Sequence, residues 1–392
     1  QVYILRDGDL AELRSTGLTW LRGGSPTLAP ESVSTPRQAG DDGLGGAPDY
    51  MAKEIAEQAG AVATIVDRVA GGIPDGSLWR GLGLPMLSRV RFVACGTSLN
   101  AAAVLTRLLA RAGGVPATFG PASELADTVF EPGTLTVALS QSGETADVLR
   151  ALDATSGRSA ILALTNAPHS TLGRAAAAVL DLGVGTEIGV AATKTFTAQV
   201  VAGSAVLLSG LVASGQLDPC AAAVFAEQLV RVPEQLAFAQ RRSVAAVPAV
   251  AGELADAAGF LFLGRGGGVP YAAEGALKLK EISYRWAEYQ PAGELKHGPI
   301  ALIERGTPVV VVDDGHPKLA AGIAEVAARG ARVVTVGGPE STLPYRSSGI
   351  EDVPWGPLAA VVVLQHLARE IAVGLGRDVD KPRNLAKSVT VE

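Results

Sequence analysis

The sequence predicts an α/β fold in which two tandem, doubly wound units each carry a parallel sheet covered by helices. The 392 residues are 48% hydrophobic and include 47 glycines but only 5% aromatic residues. Short apolar runs alternate with segments of helical periodicity, which favours parallel strands joined by crossover helices. The strand–glycine–helix pattern at Cys95 occurs again at Gly264, an offset of about 170 residues, which is the size of one domain. We therefore expect two copies of one unit.

Residues 1–49 are predicted to be the end of an upstream domain and its linker. Residues 2–5 are predicted to form a strand that is followed by a turn at Asp7 and Gly8. Residues 23–48 are rich in glycine, proline, serine and aspartate, which is typical of a linker. Helical periodicity begins at Met51 and continues to Val69.

The two units are assigned to residues 50–215 and 216–375. In the first unit we predict strands at 91–95, 134–139, 160–165 and 179–182, with helices at 101–111, 144–153 and 195–211. In the second unit we predict strands at 260–263, 308–312 and 331–336, with helices at 271–283, at 319–329 and at a last segment ending near residue 374. Residues 376–392 form a polar tail.

A run of polar side chains follows the apolar strand at 134–139, and its members are Ser140, Gln141, Ser142 and Thr145. We call residues 140–145 the hydroxyl loop. Its hydroxyls and the free N–H groups of the following helix start suit a phosphate, while an ordinary capped helix is the alternative. No lysine completes a Walker-type pattern, so a nucleoside triphosphate is disfavoured. In the second unit Asp313 and Asp314 stand in this place, so only the first unit is expected to hold phosphate.

Composition and spacing exclude several classes of function. The net charge is −6 and no cluster of Lys and Arg occurs, which disfavours nucleic acid as a partner. Cys95 and Cys220 offer neither a disulfide framework nor zinc spacing, and no metal site is expected. The glycines at 264–268 do not fit the G-x-G-x-x-G register, so no nicotinamide cofactor is expected. We find no apolar run long enough for a bilayer and no signal peptide, and we expect a soluble, cytoplasmic protein.

Three charged residues, Glu274, Lys278 and Glu281, are spaced four and three residues apart and share one face of a predicted helix. A solvent-exposed stripe of ion pairs is the ordinary explanation of this spacing. The helix follows a glycine-rich strand end, however, and a carboxylate in such a cleft can have a raised pKa and act as a general base. Both interpretations stay open on the residues alone.

Other candidates lie at strand ends or in loops. Thr97 and Ser98 follow the strand at 91–95, where ligands of open α/β sheets bind, and they can hold sugar hydroxyls or a phosphate oxygen. Cys95 is interpreted as a small core residue, because no histidine lies near it in sequence. His297 has acidic, basic and glycine neighbours in a predicted loop and is the candidate for acid–base chemistry, with a structural role as the alternative.

Several ordered motifs resemble those of one known family. They are SQSGETAD (140–147), GTEIGVAATKTFTAQ (185–199), LGRG, EGALKLKEISY, AGELKHGP and the terminal PRNLAKSVTVE. From about residue 50 to residue 392 the chain resembles the glutamine–fructose-6-phosphate aminotransferases, or glucosamine-6-phosphate synthases. The resemblance is to their isomerase half, which is built of two sugar-isomerase (SIS) domains. Residues 1 to about 15 resemble the end of the family's glutaminase domain.

For binding, the resemblance implies that Ser140, Gln141, Ser142 and Thr145 hold the phosphate of fructose 6-phosphate. The residues implied to contact the sugar or to line its pocket are Thr97, Ser98, Val190 and Ala386. The tail, residues 376–392, is implied to fold over the active site as a lid, which would exclude water.

For catalysis, the resemblance implies that Glu281 moves a proton between C1 and C2, with Lys278 nearby. His297 is implied to open the sugar ring from the partner subunit of a homodimer. Lys387 is implied to form a Schiff base with the open sugar. General acid–base and amine chemistry suffice to turn fructose 6-phosphate and ammonia into glucosamine 6-phosphate, so no cofactor is expected.

The sequence departs from the family at two places. The family's glutaminase requires an N-terminal cysteine, whereas this sequence begins with Gln1, so we expect glutamine hydrolysis to be absent from these residues. Gln290 and Pro291 stand where an aromatic and a small residue are expected, close to His297, and could alter how its loop packs.

Two alternative functions are a sugar-phosphate-binding SIS sensor and an SIS-type deglycase acting on sugar–amino-acid adducts. The intact catalytic set, Glu281, His297 and Lys387, argues against the sensor, which needs only a phosphate pocket. The PRNLAKSVTVE ending argues against the deglycase.

Overall fold

The computed structural model describes residues 2–3, 5, 8–30, 32–33, 43–127, 129–155, 157–346 and 352–390. The chain divides into two compact units, Gln1–Gly43 and Leu44–Glu392. The N-terminal unit contains β1 (Val2–Tyr3), β2 (Asp9–Arg14), β3 (Gly17–Arg22), β4 (Ser25–Thr27) and β5 (Ser32–Val33).

The N-terminal unit is built of antiparallel strands. Strands β2, β3 and β4 form one sheet, and β1 pairs with β5. The prediction of a linker from residue 23 onward is therefore wrong for β4 and β5, because both are paired strands. Ile4 of the predicted strand and Asp7 of the predicted turn lie outside the described residues. So do Glu31 and residues 34–42 of the predicted linker.

The larger unit alternates strands and helices along the chain. Its strands are β6 (Val90–Ala94), β7 (Ala117–Pro121), β8 (Leu135–Ser140), β9 (Ile161–Thr165), β10 (Ala178–Asp181), β11 (Gly259–Gly264), β12 (Trp286–Pro291), β13 (Pro308–Val312), β14 (Arg332–Gly337) and β15 (Leu343–Pro344). Its helices are α1 (Tyr50–Val69), α2 (Ser77–Gly81), α3 (Gly96–Ala112), α4 (Ala146–Asp153), α5 (Thr171–Ala175), α6 (Lys194–Ala213), α7 (Pro219–Val230), α8 (Val232–Leu254), α9 (Val269–Ser283), α10 (Leu319–Ala327) and α11 (Ala360–Gly374).

The two sheets of this unit have the same topology. Their strand orders are β7-β6-β8-β9-β10 and β12-β11-β13-β14-β15, and every neighbouring pair is parallel. Val93 pairs with Ala138 in the first sheet, and Leu263 pairs with Val311 in the second. Gly96 and Gly266, which follow the two leading strands, both have φ +54°, a conformation that favours glycine. The predicted fold class and its internal repeat are confirmed.

The differences from the predicted elements lie at sheet edges, at helix starts and in helices α2, α5, α7 and α8, which were not predicted. Helix α3 begins at Gly96, so the residues predicted to form a turn before it are its first turn. Edge strands β7, β12 and β15 were not predicted. In β12 only Ala287 is buried, so this strand lacks the apolar alternation by which strands are recognised in a sequence.

Helix α6 lies in the core of the larger unit. By length and composition its 20 residues would suffice to cross a membrane, so the expectation that no such apolar run exists is wrong. However, 89% of the 18-residue apolar window within that helix is buried inside the fold. A helix that is apolar on all sides is typical of the interior of a large domain, and α6 packs there against α1, α2 and α3.

Candidate active site

The hydroxyl loop follows β8 directly, and its side chains bond to one another and to the loop backbone. Oγ of Ser140 lies 3.0 Å from Oγ1 of Thr145 and accepts a hydrogen bond from the amide of Gly143 at 3.0 Å. Oγ of Ser142 accepts one from the amide of Glu144 at 3.2 Å. Side-chain oxygens therefore gather at the carboxyl end of β8, where ligands of open α/β sheets bind.

Helix α4 begins at Ala146, two residues later than predicted, with Thr145 as its N-cap residue. The amide of Ala146 donates to the carbonyl oxygen of Val389 at 3.1 Å. Since the amides of Gly143 and Glu144 donate to loop hydroxyls, the expectation of free N–H groups is wrong for these three amides. In this conformation the loop offers a phosphate its hydroxyl groups rather than these amides.

The hydroxyls of Thr97 and Ser98 lie in the first turn of α3 and join it to two other helices. Oγ1 of Thr97 donates to Oε1 of Glu274 in α9 at 3.0 Å. Nε2 of Gln199 in α6 donates to Oγ of Ser98 at 3.0 Å. Cys95, directly before them, is half-buried, and burial raises the pKa of its thiol. This environment fits the predicted structural role of Cys95.

The charged residues of α9 lie in the interior, so the alternative of a solvent-exposed stripe is wrong. Glu274 is 0% exposed and Lys278 is 1% exposed. Nζ of Lys278 lies 2.6 Å from Oε2 of Glu281 and 3.7 Å from Oε1 of Glu274. Of the three side chains only that of Glu281 reaches solvent, with 21% of it exposed.

Burial and neighbouring charges set the protonation of this cluster. Burial raises the pKa of Glu274 to about 7, although the charge of Lys278 and a hydrogen bond from Asn100 oppose the rise. Burial by itself would lower the pKa of Lys278, but the carboxylates of Glu281 and Glu274 outweigh it and raise that pKa. Lys278 is therefore held as a cation against Glu281, the one carboxylate of the cluster that a substrate can reach.

Lys387 lies in the tail and reaches a buried carboxylate. Its Nζ donates to Oε2 of Glu187 at 2.7 Å and to the carbonyl oxygen of Gly189 at 2.7 Å. The side chain of Glu187 is 0% exposed, and it also accepts hydrogen bonds from the amides of Thr193 and Thr195. Burial would raise the pKa of Glu187, but the charge and hydrogen bond of Lys387 and the two amides lower it.

Glu187 and Glu54 were missed as site residues in the sequence. Glu54 lies on α1 and is 2% exposed, and its Oε1 accepts hydrogen bonds from the amides of Ile188 and Gly189. Burial first, and then the like charge of Glu187, raise the pKa of Glu54 to about 7. A signal was available, because Glu54 falls at helical spacing between the apolar residues Met51 and Ile55 on the face of α1 that is buried.

The tail is held along the site by its backbone and side chains. Both carboxylate oxygens of Asp380 accept hydrogen bonds from the first amides of α1, at 2.9 Å each, and its carbonyl oxygen accepts one from the amide of Val190. Oγ of Ser388 lies 3.0 Å from Oγ of Ser142 in the hydroxyl loop. The guanidinium of Arg383 stacks 4.4 Å from the ring centroid of Tyr284. The tail therefore joins Lys387 to the hydroxyl loop, while Ala386 is exposed.

The structure does not bring His297 to the other predicted catalytic residues. It ends a short 3-10 helix, Ala292–His297, rather than lying in a loop, and it is exposed. No residue in the described part of the chain bonds to its side chain. Gln290 and Pro291 lie in β12, paired with Leu263 and Gly264. In contrast His366 is buried beside Gln240, and burial lowers its pKa to about 4.

The residues that the structure describes contain no group of three or more His, Cys, Asp or Glu side chains placed to hold a metal ion. What they bring together is a hydroxyl loop, an ion-paired carboxylate at Glu281 and a lysine held by a buried carboxylate. This set suits binding of a phosphorylated carbonyl compound and proton transfer on it.

Comparisons with known proteins identify the family of the chain. The SIS domain family matches residues 87–209 and 253–349. The chain is 40% identical over 412 residues to a glutamine–fructose-6-phosphate aminotransferase [isomerizing] of Thermus thermophilus, covering all of this chain and 67% of that protein. It is 41% identical over 371 residues to the protein of the same name from Mycobacterium tuberculosis, covering 89% of this chain and 59% of that one.

A solved structure is similar over nearly its whole length. It is the C-terminal domain of glucosamine-fructose-6-phosphate aminotransferase from Francisella tularensis, with a TM-score of 0.76 and 31% identity, covering 87% of this chain and 99% of that one. The chain spans about 60–67% of the length of the first curated relatives that it matches. The matched part is therefore the one that carries the SIS domains.

Proposed function

This chain belongs to the SIS-domain family and corresponds to the isomerase part of the glutamine–fructose-6-phosphate aminotransferases, and on that premise we propose that it converts fructose 6-phosphate and ammonia to glucosamine 6-phosphate. The observation that carries the proposal is the contact of Lys387 with buried Glu187, together with the docking of the same tail on the hydroxyl loop. An amine and a phosphate site are thereby held in one cleft, as an imine-forming sugar-phosphate enzyme requires.

The substrate is held at its phosphate by the hydroxyl loop, whose donors are Ser140, Gln141, Ser142 and Thr145. Thr97 and Ser98 are proposed to contact the sugar after exchanging their bonds to Glu274 and Gln199, and Val190 and Ala386 to line the pocket. The described tail residues, 376–390, are proposed to cover this cleft and limit the access of water, which protects an imine from hydrolysis.

The reaction begins with opening of the sugar ring and formation of an imine. His297, from the partner subunit of a homodimer, protonates the ring oxygen while the anomeric hydroxyl loses its proton. Lys387 must lose a proton before its amine attacks the C2 ketone, and Oε2 of Glu187, 2.7 Å away, is an acceptor for that proton. Water leaves as the C2=N bond forms, and ammonia then displaces the lysine to give the fructosimine.

Glu281 carries out the isomerisation. Its carboxylate removes a proton from C1 and returns it to C2. The imine nitrogen gains a proton and the C1 hydroxyl loses one, so C2 carries the amine and C1 becomes the aldehyde of glucosamine 6-phosphate. The cation of Lys278, 2.6 Å from Glu281, holds that carboxylate and offers its positive charge to the enolate-like oxygen that develops at C1. No other reactant is needed, and the proposal is of an amino-sugar-forming isomerase that acts in the cytoplasm.

Borohydride trapping tests the imine. With fructose 6-phosphate present, reduction should add the mass of the reduced sugar phosphate to Lys387, and the K387A variant should not be labelled there. Lys381, an exposed lysine of the same tail, provides the matched control variant K381A, which should be labelled as the wild type is. Absence of labelling at Lys387 in a protein that still binds fructose 6-phosphate would favour a sensor that binds sugar phosphate without turnover.

A further inference from the structure

A cavity of about 480 Å³ lies outside the cleft just described. Among its lining residues are Val104, Arg107, Arg111, Gly267, Asp314 and Trp355, and we call it the second cleft. It lies at the carboxyl ends of β11 and β13, the position at which the first sheet presents the hydroxyl loop. A volume of this size accommodates a hexose phosphate.

The second cleft is the counterpart of the active-site cleft in the internal repeat. The active-site cleft joins Thr97, in the first turn of α3, to the face of α9 that carries Glu274 and Glu281. The repeat offset that relates Gly96 to Gly266 also relates Thr97 to Gly267. By the same offset, the face of α9 just described corresponds to the face of α3 that carries Val104 and Arg111. Both clefts are therefore formed by the strand-end turn of one repeat and the helix of the other.

The charges of the two clefts are reversed. Arg111 stands at the position of Glu281, and Arg107 lies one turn before it on the same face of α3. The sheet register that pairs Val93 with Ala138 and Leu263 with Val311 places Asp314 at the position of Gln141. The second cleft therefore has two cations on its helical wall and the carboxylate of Asp314 on its sheet side, while Asp352, which also lines it, pairs with Arg111. The first cleft has a carboxylate and neutral donors in the corresponding places.

Gly267 of the second cleft has no side chain at the position where the first cleft has that of Thr97. A Cβ atom at Gly267 would lie 3.4 Å from Cα of Gly356 and 3.6 Å from Oδ2 of Asp314, so a side chain here would enter the space that the glycine leaves. Arg107 forms no hydrogen bond or ion pair with any residue in the described ranges. Arg111 pairs with Asp352 and donates to the carbonyl oxygen of Val353. One guanidinium of the helical wall is thus available to a ligand.

We propose that the second cleft is a separate binding site for a phosphorylated amino sugar. The phosphate lies against Arg107 and takes the place of Asp352 beside Arg111, since the N–H groups of a guanidinium bind phosphate oxygens two at a time. The ammonium group lies against Asp314, across the cavity. A ligand with a phosphate at one end and an amine at the other matches this distribution of charge, and the product of the proposed function, on which the choice of ligand rests, has that form.

Calorimetry with glucosamine 6-phosphate tests the proposal in the absence of ammonia. Wild-type protein should bind two equivalents per chain. The R107E variant should bind one, with the second weakened about tenfold or more, because a repulsive charge replaces a phosphate partner. The R305E variant is the matched control, because exposed Arg305 lies before β13, at the opposite end of the sheet from the cleft, and it should bind two.

The amine is tested with glucose 6-phosphate, which lacks it. At the second site this ligand should bind about tenfold more weakly than glucosamine 6-phosphate in the wild type, and the D314N variant should remove the difference. One equivalent in the wild type, or a second equivalent that R107E leaves unchanged, would overturn the proposal. Binding of two equivalents of glucosamine 6-phosphate by a protein without turnover would instead contradict the proposed function and would support the second cleft as a binding site.

Discussion

Nζ of Lys387 lies 2.7 Å from Oε2 of Glu187, and this contact joins the tail to a carboxylate that is fully buried beneath it. The carboxylate is fixed in turn by the amides of Thr193 and Thr195, both at 3.0 Å. The amine of the C-terminal segment is thereby placed by the start of α6, a helix of the core. Its position therefore depends on a group that solvent does not reach.

Removing the charge of Glu187 should displace Lys387. In the E187Q variant the ammonium loses its counter-charge, and a misplacement of the amine by about 1 Å is expected to slow turnover about 100-fold. Steady-state kinetics should show the loss in kcat, with KM for fructose 6-phosphate changed less than about threefold, since the hydroxyl loop is intact. An E187Q enzyme with the kcat of the wild type would show that the contact does not position Lys387.

The hydroxyl of Ser142 should act in phosphate binding. Replacing it in S142A removes a donor to the phosphate, and hydrogen bonds to charged groups are worth about 1.5–3 kcal/mol, so the Kd for fructose 6-phosphate should rise about 10–100-fold. Calorimetry measures the change. S123A, at an exposed serine of the same unit, is the control and should bind as the wild type does. Equal affinity of S142A and S123A would remove the loop from the phosphate site.

The buried carboxyl of Glu54 should make stability depend on pH. Burial and the charge of Glu187 raise its pKa from 4.5 to about 7 in the folded protein. Below pH 4.5 the carboxyl is protonated in both the folded and the unfolded chain. As pH rises toward 7 the unfolded chain loses this proton first, so the free energy of unfolding falls, by on the order of 1–3 kcal/mol in all.

The E54Q variant isolates that contribution. Oε1 of Glu54 accepts both backbone hydrogen bonds, so a glutamine can keep them. The difference in Tm between E54Q and the wild type should be constant below pH 4.5 and should grow in favour of E54Q up to pH about 7. Thermal unfolding followed at several pH values measures it. A difference that does not change with pH would contradict the raised pKa of Glu54.

Gly143 should be required for folding of the hydroxyl loop. It has φ +67°, and a Cβ atom there would lie 1.9 Å from Oγ of Ser170. Gly157 has φ +71° but no atom within 4 Å of such a Cβ, so G157A isolates the backbone strain of about 1–2 kcal/mol. G143A should lower the free energy of unfolding by a further ~1–3 kcal/mol, measured by urea denaturation. Equal losses in the two variants would contradict the close packing of Gly143 on Ser170.

The internal repeat could be predicted from the sequence because both copies keep the same local signals. In both copies an apolar strand is followed by a glycine at positive φ, Gly96 at the start of α3 and Gly266 just before α9, and both features are visible as residue types. Edge strand β12 was missed because it is half exposed, and β4 was missed because Ser25 and Thr27 look like linker residues. Propensity describes such segments poorly, since tertiary pairing decides whether they become strands.

The candidate site was predictable in its residue types but not in its bonding. The spacing of Glu274, Lys278 and Glu281 gave one helical face, while its burial follows from the packing of α9 on α3, which no local pattern encodes. The contact of Lys387 with Glu187 joins segments 200 residues apart and was invisible for the same reason. The exposed position of His297 leaves its proposed role to a second copy of the chain.

Formation of glucosamine 6-phosphate from fructose 6-phosphate and ammonium chloride by this chain is the most direct measurement of the proposed function. The wild type should form the product. The E281Q variant should form it at least ~100-fold more slowly, because the proton transfer between C1 and C2 loses its base. The control variant E227Q, at an exposed glutamate of α7, should be as fast as the wild type. A wild-type protein that binds fructose 6-phosphate without forming the product, or an E281Q variant as fast as the wild type, would contradict the account.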